Sequence, residues 1–146
     1  MGYLKSGMIA LSVCAFMSVA AFAEEKDPTI SRVPADQRGE AKKLKNKFEK
    51  TPENIAKGKA IYEGKGTCFN CHGTSGKGDG PAGAILNPSP RNFTNPKFHK
   101  LRTDGELFWV IKNGSAGTGM VPLIGTAITE DEAWLTILYE RSFEGK

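Results

Sequence analysis

Two cysteines and a histidine stand together in Cys68-Phe69-Asn70-Cys71-His72, and C-x-x-C-H is the spacing that attaches a c-type haem. Thiols two residues apart reach the two vinyl groups on one edge of a porphyrin. The histidine that follows is carried under the ring with an imidazole nitrogen aimed at iron. One covalent haem c is therefore the expected cofactor, with Cys68 and Cys71 as its thioethers and His72 as an axial ligand. Two other chemistries use such cysteines. A thioredoxin-like dithiol needs a strand and a βαβ setting, whereas the flanks here are Gly-rich and helix-favouring. A structural zinc ion needs four ligands. Beyond the first 23 residues only Cys68, Cys71, His72 and His99 are on offer, and the adjacent Cys71 and His72 can hardly share a tetrahedron without strain.

A second axial ligand is sought downstream. Met1, Met8 and Met17 lie in the first 23 residues, so Met120 is the one thioether in the rest of the chain. Methionine normally fills cores, but Met120 ends the Gly-rich run 114–119 and is followed by Val121-Pro122. A loose loop ending on a proline-braced methionine suits a ligand arriving from the far side of a haem. The competitor is His99; set between Lys97 and Lys100, it reads as a surface residue or a neighbour of a haem propionate. An open or water-bound position is the third possibility. Asn87-Pro88-Ser89-Pro90-Arg91-Asn92-Phe93 is extended and proline-stiffened. Such a segment can lend a carbonyl to His72 and bring Arg91 or Asn92 to a propionate. The glycines from Gly73 to Gly83 suit a backbone wrapped closely around a cofactor edge. Gly78, Gly80 and Gly83 match G-x-G-x-x-G only formally, since no strand precedes them and no βαβ unit follows.

The elements that must position these residues are helical. Thr51-Pro52-Glu53 is an N-cap, an N1 proline and a first-turn acid, starting a helix that runs to about Glu63. Its Ile55, Gly58 and Tyr62 share a face, and Gly58 marks a close backbone crossing, expected with the last helix. That helix opens with the capping box Thr129-Glu130-Asp131-Glu132 and turns Trp134, Ile137 and Leu138 inward. Another capping box, Thr103 to Glu106, starts a helix carrying Leu107, Phe108, Val110 and Ile111 as far as Asn113-Gly114. Nearer the amino terminus, Ala41, Leu44 and Phe48 fall at i, i+3 and i+7 of a lysine-rich stretch from about Asp36 to Glu49, which predicts an amphipathic helix.

Residues 1–23 pass from Lys5 through the apolar run Met8–Ala20 to Ala21-Phe22-Ala23, a small-x-small site before Glu24, the pattern of a secretory signal peptide. The run is short for a transmembrane helix; an uncleaved leader acting as an anchor is the alternative. Cleavage removes Cys14 and leaves 123 of the 146 residues, one small domain with no structural disulfide. The whole chain carries 20 basic and 16 acidic residues. Residues 24–50 hold 8 basic against 6 acidic groups, and residues 51–146 hold 11 against 10. So near-neutral a domain, without a recognition motif, gives no reason to expect nucleic-acid binding.

With Gly58 and Tyr62, then Cys68, Cys71, His72 and Gly73, then Met120 and Pro122, then Trp134 and Tyr139, the chain resembles a class I monohaem cytochrome c from about Pro52 to Phe143. It departs from the family's frequent Met-Pro pair by the intervening Val121. The resemblance implies a small all-α bundle around one covalent haem, first and last helices crossing, His72 and Met120 as axial ligands and one haem edge exposed. With the leader pattern and the lysine-rich stretch, which lies outside the resemblance, the expected division is signal peptide 1–23, charged helical extension 24–50 and haem domain 51–146. The implied function is that of a periplasmic electron carrier, not an enzyme, which passes single electrons between redox partner proteins. It is a monomer or a subunit of a redox complex, with no membrane insertion once the leader is removed. A haem subunit of a larger periplasmic oxidoreductase, or a small-ligand-binding haem enzyme, are the alternatives. The extension either packs on the domain or docks a partner.

Overall fold

The computed structural model describes Asp27 and residues 29–146. The expected leader lies outside these residues. In chain order the helices are α1 (Arg38–Lys43), α2 (Pro52–Glu63), α3 (Phe69–His72), α4 (Pro96–Leu101), α5 (Asp104–Asn113) and α6 (Glu130–Arg141), with one 3-10 turn at Gly83–Ile85. Among the described residues there is no strand, only an isolated bridge between Ile124 and Ile128. No helix among them is long and apolar enough to cross a membrane.

The bundle is organised by the crossing of α2 and α6, its most extensive helix pair. Thr51 caps α2 by accepting from the Asn54 N–H at 3.2 Å, and Pro52 occupies the first turn. Gly58 is where the backbones meet: a Cβ there would stand 2.1 Å from the Leu135 carbonyl oxygen. Buried around it are Tyr62, Ala133 and Ile137, while Trp134 stacks on Phe108 of α5 with centroids 4.1 Å apart. Gly58→Ala should therefore lower stability by roughly 2 kcal/mol despite alanine's better helix propensity, because overpacking against a carbonyl cannot relax by a rotamer change. Thermal unfolding checks this; an unchanged midpoint would refute the close crossing as a constraint.

Both capping boxes form. The Thr103 hydroxyl accepts from the Glu106 N–H (3.2 Å) and the Glu106 carboxylate from the Thr103 N–H (3.0 Å). Thr129 and Glu132 do the same at 3.3 and 2.9 Å. The extension behaves differently from its periodicity. Only α1 is helical, and at Leu44 the backbone becomes extended, leaving that side chain 42% exposed. Asn46 explains the stop. Its side-chain amide donates to the Trp134 carbonyl of α6 (2.9 Å) while its side-chain oxygen accepts from the Phe48 N–H (3.0 Å), a local side-chain bond that competes with helix. Phe48 still reaches the core, from an extended strand of chain rather than a helical face. The buried Ala41 holds α1 against α5, where the absent side chain of Gly105 makes room. The short α4 was not foreseen; Asn95 caps it at the Lys97 N–H and Pro96 follows.

Candidate functional site

Cys71 and His72 sit on the one-turn helix α3 and Cys68 stands at its N-cap, where the Cys68 carbonyl accepts from the N–H groups of Cys71 (3.2 Å) and His72 (2.9 Å). This turn carries Cys71 and His72 into the wall of a solvent-open cleft and of an adjoining hollow. Cys68 lines the second. Glycines that follow pack closely on other parts of the chain. A Cβ at Gly80 would lie 2.4 Å from the carbonyl oxygens of Phe69 and Asn70, so the run folds back on α3 itself.

His72 is held from behind. Its Nδ1 is 3.1 Å from the Arg91 carbonyl oxygen, and its ring stacks on Phe93 with centroids 4.4 Å apart. A carbonyl can only accept, so Nδ1 carries the proton and the lone pair is on Nε2, the arrangement of a metal-ligating imidazole. Pro90, preceding Arg91, lines the cleft as well.

Met120 borders both hollows together with Cys71 and His72. Its loop is tied rather than loose: Ser115 N–H donates to the Met120 carbonyl (2.9 Å), Met120 N–H to the Thr118 hydroxyl (3.1 Å), and that hydroxyl to the Ser115 carbonyl (2.7 Å). The Leu123 N–H then anchors the exit on the Ile111 carbonyl at 2.9 Å. His99, expected at the surface, is buried and outside both walls. Its Nε2 bonds the Phe93 carbonyl and its Nδ1 meets Arg141 at 3.1 Å. Burial, with Arg141 beside it, keeps its pKa below the ordinary imidazole value.

Arg91 and Asn92 differ in what they reach. Arg91 lines the cleft, and its guanidinium donates to the Asp27 (2.6 Å) and Ile30 (3.0 Å) carbonyls and lies over the Phe98 ring. Asn92 is not in either wall; its side-chain oxygen accepts from the N–H and hydroxyl of Thr94, both at 2.8 Å, an asparagine turn of local purpose.

Several wall residues were not singled out in the sequence. Ser31, Arg32 and Val33 come from the amino-terminal arm, and Arg102, Glu106 and Ser115 from around α5. Glu106 is only 1% exposed and pairs with Arg102 at 2.9 Å. Burial raises its pKa, but the Thr103 N–H, the Arg102 charge and the Ser31 hydroxyl outweigh burial and hold the carboxyl below its ordinary value. Glu140 lines both hollows, and burial pushes its pKa up to about 8 despite neighbouring Arg141. Spacing offered a signal: Glu140 is in register with Ala133, Thr136 and Ile137 on the buried stripe of α6.

The folded chain favours the neutral Glu140 acid, so this residue opposes folding increasingly as pH rises from the ordinary carboxyl range through about 8. Glu140→Gln should leave the unfolding midpoint nearly unchanged at pH 4 and raise stability at pH 8 to 9 by on the order of a few kcal/mol. A variant-to-native difference that does not grow with pH in thermal unfolding would contradict this.

The wall residues fit a haem. Apolar side chains such as Phe98, Leu107, Val110 and Ile111 form most of the lining, a nitrogen and a thioether donor border it, and two cysteines flank it. In the same wall, Arg32 Nε and Ser115 Oγ are buried without a hydrogen-bond partner, as groups awaiting the polar edge of a ligand are. Thiol chemistry points the same way. Burial, with Glu140 nearby, pushes Cys68 up to about 12, the reverse of the lowered pKa an attacking dithiol cysteine needs. Among the described residues no cluster of three or more His, Cys, Asp or Glu is placed to hold a metal ion.

Residues 53–139 match the family model for cytochrome c oxidase, cbb3-type, subunit III. Among solved structures, a chain of the Kuenenia stuttgartiensis reducing HAO-like protein complex is similar at 30% identity and a TM-score of 0.58. The match covers 66% of this chain and 46% of that one, so this chain spans less than half of its neighbour's length. No curated protein matches.

Proposed function

Because this chain belongs to the family of cytochrome c oxidase, cbb3-type, subunit III, a class I-like c-type cytochrome domain for electron transfer, we propose that it is an exported single-haem electron carrier. The observation that carries the reading is the convergence of Cys71, His72 and Met120 on the same two hollows, with Cys68 beside them. When bound, the haem supplies a ferric/ferrous couple that takes up and gives back one electron.

The protein's residues do the rest. Cys68 and Cys71 would tether the porphyrin edge, which would make the cofactor covalent and one per chain. His72 offers Nε2, its ring fixed by the Arg91 carbonyl and the Phe93 face. Met120 offers a soft sulfur, which favours the ferrous state and raises the potential. With His72 and Met120 both on hand as donors, the chain would leave no iron position for a substrate, and the activity would be electron exchange with redox proteins in the periplasm rather than catalysis.

A second reading has one observation in its favour. The similar chain belongs to the reducing HAO-like complex, and a haem subunit of a larger periplasmic oxidoreductase would use the same couple. Size-exclusion chromatography of a native periplasmic extract separates the two, since the carrier elutes alone. The carrier reading itself is tested by voltammetry and ligand addition on the purified holoprotein. A reversible one-electron wave with no spectral change on adding cyanide or carbon monoxide is expected; prompt ligand binding by the native protein would overturn it in favour of a ligand-binding haem enzyme.

A further inference from the structure

The arm formed by Asp27 and residues 29–34 lies outside the family match, yet Ser31, Arg32 and Val33 stand in the cleft wall with His72 and Met120. It is fastened there by buried or half-buried charged groups. Arg91 donates to the Asp27 and Ile30 carbonyls, Arg102 donates to the Thr29 carbonyl (2.8 Å), and Ser31 donates to Glu106 (3.1 Å). Val33 is 2% exposed. So placed, the arm delivers Arg32, whose Nε is buried in that wall without a partner. A guanidinium N–H left unpaired in an apolar cleft carries its full desolvation cost. A carboxylate would relieve that cost, since the guanidinium fork matches it in two-point geometry.

We infer that the amino-terminal arm is a cofactor-binding strap whose Arg32 pairs with a porphyrin carboxylate. This rests on the haem reading above and deepens it: residues outside the family's shared region complete the cofactor pocket. Arg91 and Arg102 are engaged in holding the arm, which sets Arg32 apart as the cation delivered to the cleft. The remaining charged groups in the wall are Glu106, paired with Arg102, and Glu140. Loss of the Arg32 charge removes a cation that opposes the ferric state and lets the carboxylate protonate at higher pH.

The test uses the full-length holoprotein with Arg32→Gln and Arg32→Lys. Arg32→Gln should keep covalent haem and the native low-spin spectrum. At a fixed applied potential, its ferrous-to-ferric ratio should fall about tenfold, ~59 mV for one electron. Its potential should also become pH-dependent in a range where the native potential is flat, and Arg32→Lys should recover part of both changes. A native potential and pH profile in Arg32→Gln would overturn the inference, whereas loss of the low-spin spectrum in the native protein would instead sink the haem-ligand reading beneath it. Should Arg32→Gln not fold, infrared titration of the native holoprotein gives the answer. One porphyrin carboxylate staying ionised well below the ordinary carboxyl range supports the pairing; both protonating in the ordinary range refutes it.

Discussion

Replacing Met120 by alanine is expected to convert a six-coordinate, low-spin protein into one with an open position that binds cyanide and carbon monoxide. The potential should fall by roughly 0.2 V, within the ~0.8 V range that axial ligation spans. The size of the effect follows from the loop. Four hydrogen bonds linking Ser115, Thr118, Met120, Leu123 and the end of α5 hold the backbone of residue 120 in place whatever its side chain, so no neighbouring residue is drawn in to replace the sulfur. The matching control is His99→Ala. Because His99 bonds the Phe93 carbonyl and Arg141 away from the cleft, its loss should lower stability and leave the visible spectrum as it was. A low-spin, ligand-resistant Met120→Ala protein, or a high-spin His99→Ala protein, would overturn the assignment of the sixth ligand.

Serine at both Cys68 and Cys71 should abolish covalent haem retention altogether. Acid-acetone extraction ought to leave the haem on the native polypeptide and strip it from the double variant, with either single variant keeping one thioether. Both sulfurs sit beside the hollows that His72 and Met120 border, and serine keeps the volume close while removing the sulfur that adds to a vinyl group. Haem released from the native chain under these conditions would remove the covalent linkage from the account.

Much of this was legible before any coordinates, for physical reasons that differ from place to place. The helices around the site announced themselves through local chemistry: Thr51-Pro52, the two capping boxes, and a glycine on the face where α2 meets α6 all act within a turn or at a contact requiring one residue type. The proposed donor set could be picked out because C-x-x-C-H has few other uses and one methionine follows. The residue that orients His72 was named as a carbonyl of the 87–93 segment, and the Arg91 carbonyl lies at 3.1 Å from Nδ1. What failed was tertiary. The periodic Ala41, Leu44 and Phe48 predicted one helix, but Asn46 bonds α6 and ends it early. Composition alone does not say that Gly80 and Gly83 of the Gly-rich run meet the carbonyls of α3. Asn95-Pro96 is a local start signal for the short α4. Arg32 carries no local signal at all, because its place in the cleft depends on Arg91, Arg102 and Glu106, some sixty to seventy-five residues away.

The ferric near-infrared absorption spectrum of the full-length holoprotein at neutral pH bears most directly on the claim that the chain holds one haem between His72 and Met120. A weak sulfur-to-iron charge-transfer band alongside a low-spin visible spectrum, present in the native protein and absent from Met120→Ala, is the predicted result. A native ferric protein that is high-spin, or low-spin with no such band, would contradict it.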